Sequence, residues 1–332
     1  MRILVTGGAG FIGSHIVQFH LSRGHEVIAV DDLSTGSEHN IRNFLPNPNF
    51  RFEKANLLSW PHLESSVAQS DRIYHMAAVV GVFRVLKNPV DVMAVNVEAT
   101  ELLLKAAHKN KWRSTLIVAS TSEVYGNGIP GRETCEFSER DALLIEENSS
   151  LRWNYPISKL VDEAFCLSYA KAYGAPIVTV RFFNTIGPRQ TGQYGMVVPR
   201  FVRQAVSGQP ITVFGDGTQK RCFCDVRDTV VMLDLLADNS SSYGEVVNVG
   251  NAQEISIAEL AERVKWLSHS QSEIRCVPYQ DAYGMDFADI LHRRPSMTKL
   301  LSLTDMQFQW PLNQTLLDLI YIEQDKRKAQ GG

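Results

Sequence analysis

Tyr155 and Lys159 form the residue pair whose spacing best suits acid–base chemistry. A helix is predicted over residues 155–173, and it would place both side chains on one face, because residues four apart are neighbours on a helix. The lysine ammonium would stabilise a tyrosinate and lower the pKa of the phenol. Such a base could remove a proton from a sugar hydroxyl while hydride leaves the same carbon, and Lys159 could also bind a nicotinamide ribose. Since Tyr-x-x-x-Lys pairs are common on helix surfaces, the surrounding elements must decide whether this pair is catalytic.

A second polar group follows the strand predicted over residues 115–119. Thr121, Ser122 and Glu123 stand at its carboxyl end, where open α/β sheets bind ligands. The Thr121 hydroxyl could share the proton of a substrate hydroxyl. A carboxylate such as Glu123 is costly to bury unless it is hydrogen-bonded or used, so the alternative for it is a solvated loop position.

Four arginines in the second half of the chain could bind an anionic substrate. They are Arg189, Arg200, Arg221 and Arg293. Arginine binds phosphates and carboxylates with two parallel hydrogen bonds, which favours a substrate that carries a diphosphate. Taken singly, each of them could equally be a surface or structural charge.

The element that must position a cofactor stands at the start of the chain. An apolar strand leads into glycines at G-x-x-G-x-x-G spacing, then a helix, then a strand that ends on two acids. Gly7 permits the tight turn, Gly10 lets the backbone approach a pyrophosphate, and Gly13 lets helix and strand pack closely. Asp31 or Asp32 would accept from a ribose 2′-hydroxyl and repel a 2′-phosphate, which favours NAD over NADP. The predicted contacts here are Gly7, Gly10, Phe11, Ile12, Gly13, Asp31 and Asp32.

Further cofactor contacts are predicted at the ends of the next strands. Asn56 and Leu57 follow a third strand and could lie beside the adenine. Ala77 and Ala78 end a fourth strand, where small residues admit a flat ring or simply pack tightly. Asn96 is a polar residue inside a predicted helix and is included in this set.

The composition of the chain limits the classes of protein to which it can belong. With 332 residues and a net charge of −3, the chain is long enough for two domains and carries no basic excess that would indicate nucleic acid. No apolar stretch is long enough to span a bilayer, and the N-terminus is predicted to be a strand and not a signal peptide. The five cysteines show no framework spacing, which predicts reduced thiols in a cytoplasmic protein. Cys222 and Cys224 are interpreted as packing residues, and no metal site is predicted.

The alternation of strands and helices predicts an α/β fold, a Rossmann-type doubly wound parallel sheet with a smaller, discontinuous α/β substrate domain. The predicted NAD-binding domain covers residues 1–183 and about 225–250. The predicted substrate domain covers residues 184–224 and 251–332. Residues 323–332 are charged and are predicted to fray.

Together these motifs resemble the extended short-chain dehydrogenase/reductases that act on sugar nucleotides. The matching segments are Thr6–Gly13, Asp31–Asp32, His75–Ala78, Asn96, Ser120–Gly126, Tyr155–Lys159, Arg181–Asn184, Gly187–Arg189, Gly215–Gly217 and Arg221–Phe223. The resemblance implies tightly bound NAD, a nucleoside-diphosphate sugar, a 4-keto intermediate, and a homodimer formed through the helices near 97–110 and 155–173.

Within that family, the segment Ser120–Gly126 resembles the UDP-glucuronate decarboxylases. The resemblance implies that Thr121, Ser122, Glu123, Tyr155 and Lys159 form the site. It also implies that the catalytic arginine falls on Arg293 and that Asn184 contacts the sugar or a phosphate.

Three alternatives stay open at this stage. The segment 187–200 resembles sequences labelled 4-epimerases, which would use the same tyrosine and return hydride to the other face of the sugar. The serine–glutamate pair also resembles the 4,6-dehydratases, although those usually carry Asp where Ser122 stands. A non-catalytic NAD-binding relative is the third, and the presence of Thr121, Tyr155 and Lys159 argues against it.

Overall fold

The computed structural model describes residues 1–79, 89–126, 136–144, 153–192, 196–279, 281 and 293–331. Seven parallel strands form its central sheet. With strands numbered along the chain, they are β1 (Arg2–Thr6), β2 (Glu26–Asp31), β3 (Phe50–Lys54), β4 (Arg72–His75), β5 (Thr115–Thr121), β7 (Ile177–Phe182) and β12 (Val246–Val249). The predicted fold class is confirmed.

The strand order of this sheet fixes the place of a ligand. It runs β12-β7-β5-β4-β1-β2-β3, so the chain winds outward in one direction from β1 and in the other from β4. At such a switch point the loops after the two neighbouring strands diverge and leave a crevice at their carboxyl ends. The glycine turn after β1 lies at this crevice.

Helices cover both faces of the sheet. The helices of the described residues are α1 (Phe11–Leu21), α2 (Leu63–Gln69), α3 (Pro89–Lys109), α4 (Asn154–Tyr173), α5 (Val197–Ser207), α6 (Val226–Asp238), α7 (Ile257–Leu267), α8 (Thr298–Leu303) and α9 (Leu312–Gly331). Along β1, Ile3 and Val5 pack with α1 and α6, whereas Leu4 packs with α2, α3 and α4. Both faces are therefore buried, which explains the continuous apolar run of β1.

A second hydrophobic cluster joins α5, α7 and α9 beside the sheet. Short strand pairs complete this smaller part and its connections: β8 (Thr185–Ile186) with β11 (Cys224–Asp225), β9 (Ile211–Phe214) with β14 (Ile274–Val277), and β10 (Lys220–Cys222) with β13 (Glu254–Ser256). The pair β6 (Glu136–Phe137) and β15 (Arg294–Pro295) is parallel, and β15 contacts β10.

Two details differ from the sequence-based expectations. Met297, Leu300 and Met306 pack in the core of the central sheet, so α8 belongs to it by packing although the predicted boundary assigns residues 251–332 to the substrate domain. Residues 323–331 continue α9 and are not frayed, because the preceding turns are anchored by buried Leu316 and Ile320 and the charged residues that follow favour helix.

Among the described residues, no helix combines the length and the apolar character needed to cross a membrane.

Candidate active site

A cleft of about 740 Å³ lies between the carboxyl ends of the sheet strands and the smaller part of the molecule. Most of the predicted site residues line it. They are Gly7, Gly10, Phe11, Ile12, Gly13, Asp31, Asp32, Asn56, Leu57, Ala77, Ala78, Thr121, Ser122, Glu123, Tyr155, Lys159, Asn184, Arg200, Arg221 and Arg293. Asn96 and Arg189 are predicted site residues that are not among the residues lining the cleft.

The glycine loop is shaped by contacts that exclude side chains. Gly7 has a φ of +69°, and a Cβ there would lie 2.8 Å from the Ala77 backbone nitrogen. A Cβ on Gly13 would lie only 2.1 Å from the Gly7 carbonyl oxygen. Gly10 precedes α1 without a side-chain cap, so the first amide groups of that helix are available to a pyrophosphate. The loop therefore fits a dinucleotide.

We expect Gly13→Ala to weaken NAD binding. The new methyl group must push the turn at Gly7 outward, and overpacking of this kind costs about 1–3 kcal/mol, or roughly 5- to 150-fold in affinity. Titration calorimetry measures the loss. Gly24→Ala is the control, because its φ of +75° introduces backbone strain while nothing lies within 4 Å of the new Cβ. Equal NAD affinity in the two variants would contradict the assigned role of the loop.

The two acids at the end of β2 accept hydrogen bonds from different partners. The Asp31 carboxylate accepts from the Ala9 amide at 3.0 Å and the Leu33 amide at 2.8 Å, which ties the glycine loop to the strand. Burial raises the pKa of Asp31, and these backbone hydrogen bonds oppose the rise. Asp32 accepts from the Ser34 amide at 2.9 Å and from the Asn56 side chain at 3.5 Å. Both acids line the cleft and can face a ribose.

Tyr155 lies in the first turn of α4, with Lys159 one turn further on. The prediction that Lys159 lowers the phenol pKa differs from the structure. Burial of the hydroxyl and the charge of Glu123 raise the pKa of Tyr155 well above its ordinary value, and a hydrogen bond with Thr121 opposes the rise. The Lys159 ammonium instead contacts the Asp162 carboxylate at 2.9 Å.

Glu123 and Arg293 face each other in the cleft. The guanidinium Nη2 of Arg293 lies 3.9 Å from Oε1 of Glu123, with side chains 14% and 34% exposed. Glu123 lies in the short 3₁₀ helix Ser122–Tyr125 after β5, where its amide donates to Thr121 Oγ1 at 3.2 Å. Ser122 is buried beside it. A mostly buried cation next to a carboxylate can bind an anionic substrate group at this place.

A short strand pair brings Arg293 to a site that is distant in sequence. Arg293 directly precedes β15, which pairs in parallel with β6, and Ser296 donates its amide to the Phe137 carbonyl at 2.8 Å. β6 is anchored in turn, because the Asn248 side chain donates to the same carbonyl at 2.9 Å and the Tyr125 ring stacks on Phe137.

Glu163 is a supporting residue with no role predicted from its sequence pattern. Its carboxylate accepts two hydrogen bonds from Arg181, at 2.9 and 2.7 Å, and one from the Ser120 hydroxyl at 2.5 Å. These contacts fasten α4 to β5 and β7, and so fix the distance between Tyr155 and Thr121. Its position four residues after Lys159 was the available signal.

Asn96 contacts the backbone of Val79, a residue that lines the cleft. Its side chain accepts from the Val79 amide at 2.7 Å and donates to the Ser158 hydroxyl at 3.1 Å. Val79 lines the cleft and Ser158 lies beside Lys159 in α4. Asn96 therefore joins the end of β4 to α4, and is not itself among the cleft-lining residues.

Arg189, predicted to bind substrate, is placed elsewhere. Its guanidinium donates to the carbonyls of Ser14 and Asn40, at 3.1 and 3.3 Å, and also contacts His15 and Gln18. The side chain thus braces α1 behind the glycine loop. The physical reason is that α1 offers several acceptors in one place, which satisfies the guanidinium within the protein.

The remaining predicted substrate residues lie across the cleft from the glycine loop. Asn184 donates to the Cys222 carbonyl at 2.9 Å, and the Arg200 guanidinium stacks 3.7 Å from the centre of the Phe214 ring. Arg221 also lines this side, as do Phe214 and Tyr279, to which the sequence analysis assigned no role. Two cations and two rings suit a nucleoside diphosphate.

Residues 3–250 match the NAD dependent epimerase/dehydratase family. The chain belongs to that family. It is an NAD-dependent enzyme.

Known members resemble it over most of its length. The chain is 39% identical over 300 residues to the UDP-N-acetyl-alpha-D-glucosaminuronate decarboxylase of Bacillus cytotoxicus, covering 90% of each chain. It is 34% identical to UDP-glucuronic acid decarboxylase 1 of Danio rerio, covering 95% of this chain and 71% of that protein. Among solved structures, the UDP-glucuronic acid 4-epimerase of Bacillus cereus, in complex with UDP-glucuronic acid and NAD, superposes with a TM-score of 0.82 at 28% identity, covering 98% of this chain and 99% of that one.

Proposed function

We propose that this chain is a UDP-hexuronate decarboxylase, with UDP-glucuronate as its substrate and a UDP-pentose or UDP-4-keto-pentose as its product. The observation that carries the proposal is the Arg293–Glu123 pair in the same cleft as Tyr155. A guanidinium there can bind the C6 carboxylate of a sugar whose C4 hydroxyl faces the tyrosine. The 39% identity to a decarboxylase of a related uronic acid supports it.

Oxidation at C4 is assigned to Tyr155 and its neighbours. NAD, when bound, accepts the hydride from C4 and can return it. Tyr155 removes the proton of the C4 hydroxyl, and Thr121 orients the phenol through their hydrogen bond. Lys159 supplies a positive charge on the same face of α4. Because the pKa of Tyr155 is raised, we expect the rate of this step to increase with pH until the phenol is ionised.

Loss of carbon dioxide follows from the position of the new ketone. The C4 ketone is β to the C6 carboxylate, so the carbon–carbon bond can break with its electron pair entering an enolate. Arg293 holds the carboxylate before it leaves, or donates the proton that quenches the enolate. Glu123, within 3.9 Å, orients Arg293 or transfers that proton.

The nucleotide is assigned to the smaller part of the molecule. Arg200 and Arg221 face the cleft from the side opposite the glycine loop, and Asn184 lies between the two parts. We assign the diphosphate to the arginines and the sugar to the space between Asn184 and Tyr155. This assignment keeps the predicted division into an NAD-binding domain and a sugar-nucleotide domain as a proposal.

A 4-epimerase is the second candidate. It is favoured by the structural similarity to the UDP-glucuronic acid 4-epimerase and by the segment 187–200, of which residues 193–195 lie outside the described ranges. That reaction would use the same Tyr155 but would need Arg293 to hold the carboxylate without cleavage. Elimination of water, as in a 4,6-dehydratase, has less support because Ser122 stands where an acid is usual.

Incubation with uniformly ¹³C-labelled UDP-glucuronate, followed by NMR, tests the proposal. We expect labelled bicarbonate together with a UDP-pentose, or with a UDP-4-keto-pentose and NADH if the product leaves before hydride returns. UDP-N-acetylglucosaminuronate serves as the parallel substrate that differs only at C2. UDP-galacturonate formed without bicarbonate would overturn the decarboxylase in favour of the epimerase, and no conversion of either substrate would overturn both.

We further propose that the chain works as a homodimer through the outer faces of α3 and α4. The two helices pack side by side, and α4 exposes the large apolar residues Leu167 and Tyr173, at 41% and 57%. Pairing these faces between two copies would bury them. Light scattering on the wild type and on Leu167→Glu measures this: a monomeric mass for the wild type would contradict the proposal.

A cytoplasmic location is proposed on the basis of the thiols. Cys166, Cys222 and Cys224 are buried free cysteines, and Cys276 is an exposed one. Burial raises the pKa of Cys222 to about 12, so this thiol is unreactive and serves packing. Cys135 lies outside the described residues.

A further inference from the structure

An edge strand of the central sheet contacts the segment that contains β6. The strand is β12, the first in the sheet order. Asn248 stands on it, and its side chain is 0% exposed although it is polar. Its backbone amide donates to the Glu139 carboxylate at 2.8 Å, and Glu139 follows β6 by two residues. The segment with β6 therefore lies against this edge of the sheet.

The side-chain amide of Asn248 is held in one orientation by its two partners. The Phe137 carbonyl can only accept, so the amide nitrogen faces it, at 2.9 Å. The amide oxygen then faces the Tyr125 hydroxyl, which donates to it at 2.7 Å. The Tyr125 ring also stacks on the Phe137 ring, with ring centres 5.0 Å apart. Asn248 and Tyr125 together fix Phe137, the last residue of β6.

The Phe137 carbonyl also binds the strand that follows Arg293. The Ser296 amide donates to this oxygen at 2.8 Å, and β15 pairs with β6 in parallel. The oxygen has two lone pairs and so can accept from Asn248 and from Ser296 together. Ser296 stands three residues after Arg293. This shared oxygen therefore links the arginine segment to the edge of the central sheet.

A close approach at Gly250 gives a second contact between the end of β12 and β15. A Cβ on Gly250 would lie 2.8 Å from Phe183 Cβ and 3.5 Å from Pro295 Cγ. Pro295 belongs to β15, and Phe183 lines the same cleft as Arg293. Because glycine has no side chain, β15 can lie close to the carboxyl end of the sheet.

We propose that Asn248 is a positioning residue that holds Arg293 where it meets the carboxylate of the sugar, and so contributes to the selection of a uronic acid. Replacing Asn248 by Leu removes the acceptor of the Tyr125 hydroxyl and one of the two donors to the Phe137 carbonyl. Buried polar groups that lose a partner are costly, so we expect β6 and β15 to shift. The guanidinium moves with them, while Tyr155 on α4 keeps its place.

The effect on ligand selection rests on the proposed function, in which Arg293 binds the C6 carboxylate. The effect on the position of Arg293 does not rest on it and can be measured without a substrate.

The first test observes Arg293 directly. In protein labelled with ¹⁵N-arginine, its Nε–H signal is identified by its absence from Arg293→Met. We expect this signal to move by more than its linewidth in Asn248→Leu. Asn239→Leu is the matched control, because the Asn239 side chain also donates to a carbonyl, that of Leu303 at 2.7 Å. It should lower the melting temperature without moving the signal. An identical Arg293 signal in the wild type and Asn248→Leu would overturn the proposal.

The second test compares UDP-glucuronate with UDP-glucose, which differs from it only at C6. All variants carry Tyr155→Phe, so that neither sugar is converted while calorimetry measures the affinities. We expect Arg293→Met to abolish the preference for UDP-glucuronate, and Asn248→Leu to reduce it about tenfold, the size typical of a weakened charge-assisted hydrogen bond. The affinity for UDP-glucose should stay within a few fold.

Combining the two substitutions distinguishes positioning from a general loss of stability. If Asn248 acts through the guanidinium, the double variant should show the same preference as Arg293→Met alone. Additive losses from the two substitutions would overturn the proposal.

The two tests separate two kinds of failure. If Tyr155→Phe alone shows no preference for UDP-glucuronate, the proposed function fails, and the Arg293 signal still decides the role of Asn248. If Asn248→Leu does not fold, Tyr125→Phe removes the donor to the Asn248 oxygen and keeps the ring on Phe137. It should move the Arg293 signal in the same direction by a smaller amount, and an unmoved signal would count against the proposal.

Discussion

Tyr155→Phe is expected to lower the rate of C4 oxidation about 10³-fold, the range typical for removal of a general base. The variant keeps the ring that packs against Val79 and Val92 and removes only the hydroxyl. NAD affinity should therefore stay within a few fold of the wild type. Stopped-flow absorbance at 340 nm measures reduction of the bound cofactor, and calorimetry measures its binding.

Tyr243→Phe is the matched control for the tyrosine variant. Its hydroxyl also makes protein hydrogen bonds, to the Thr115 side chain at 3.1 Å and the Ala237 carbonyl at 3.3 Å, but it lies at the amino end of the sheet. It should lower stability slightly and leave the reaction rate intact. Full activity of Tyr155→Phe would refute its role as the base.

Arg293→Met is expected to separate oxidation from carbon loss. The variant removes the cation that faces Glu123 and leaves Tyr155, Thr121 and the glycine loop unchanged. We expect carbon dioxide release to fall about 10²- to 10³-fold, as for loss of a preorganised charged donor. The first hydride transfer should fall much less, so that reduced cofactor accumulates with the 4-keto acid. Combined ¹³C NMR and 340 nm absorbance measure both quantities on one sample.

The adjacent arginine provides the control for that variant. Arg294 pairs with Glu136 at 3.4 Å and its side chain is 43% exposed. Exposed pairs contribute about 0–1 kcal/mol, so Arg294→Met should change the rates by no more than a few fold. If Arg293→Met released carbon dioxide at the wild-type rate, the carboxylate would have to bind elsewhere and the decarboxylation mechanism would be wrong.

Local chemistry made the cofactor half of the site predictable. Gly7, Gly10 and Gly13 act within one turn, and their spacing alone reports contacts such as the one between Gly13 and the Gly7 carbonyl. The Tyr155–Lys159 spacing was equally local. The strands were predictable because a sheet buried on both faces needs continuous apolar runs, as in β1.

Other features depend on partners that are distant in sequence. Arg189 was assigned to the substrate, but its long side chain turns to acceptors on α1, more than 170 residues away. The Tyr155–Lys159 spacing predicted that the lysine lowers the pKa of the phenol. In the structure the Lys159 ammonium contacts the Asp162 carboxylate instead. No element was predicted over 226–238, where α6 forms with Asp225 as its cap, because its burial depends on a sheet face that only the fold creates.

The pairing of β6 with β15 has an evolutionary consequence. Arg293 directly precedes a strand pair of two residues on each side, whereas Tyr155, Lys159 and the glycine loop belong to the central sheet and its flanking helices. A mutation that lengthens, shortens or releases this ribbon would move the guanidinium and leave the redox apparatus intact. Proteins that descend from one ancestral sequence could thus form new products after changes in this peripheral strand pair, while the fold and NAD binding are kept.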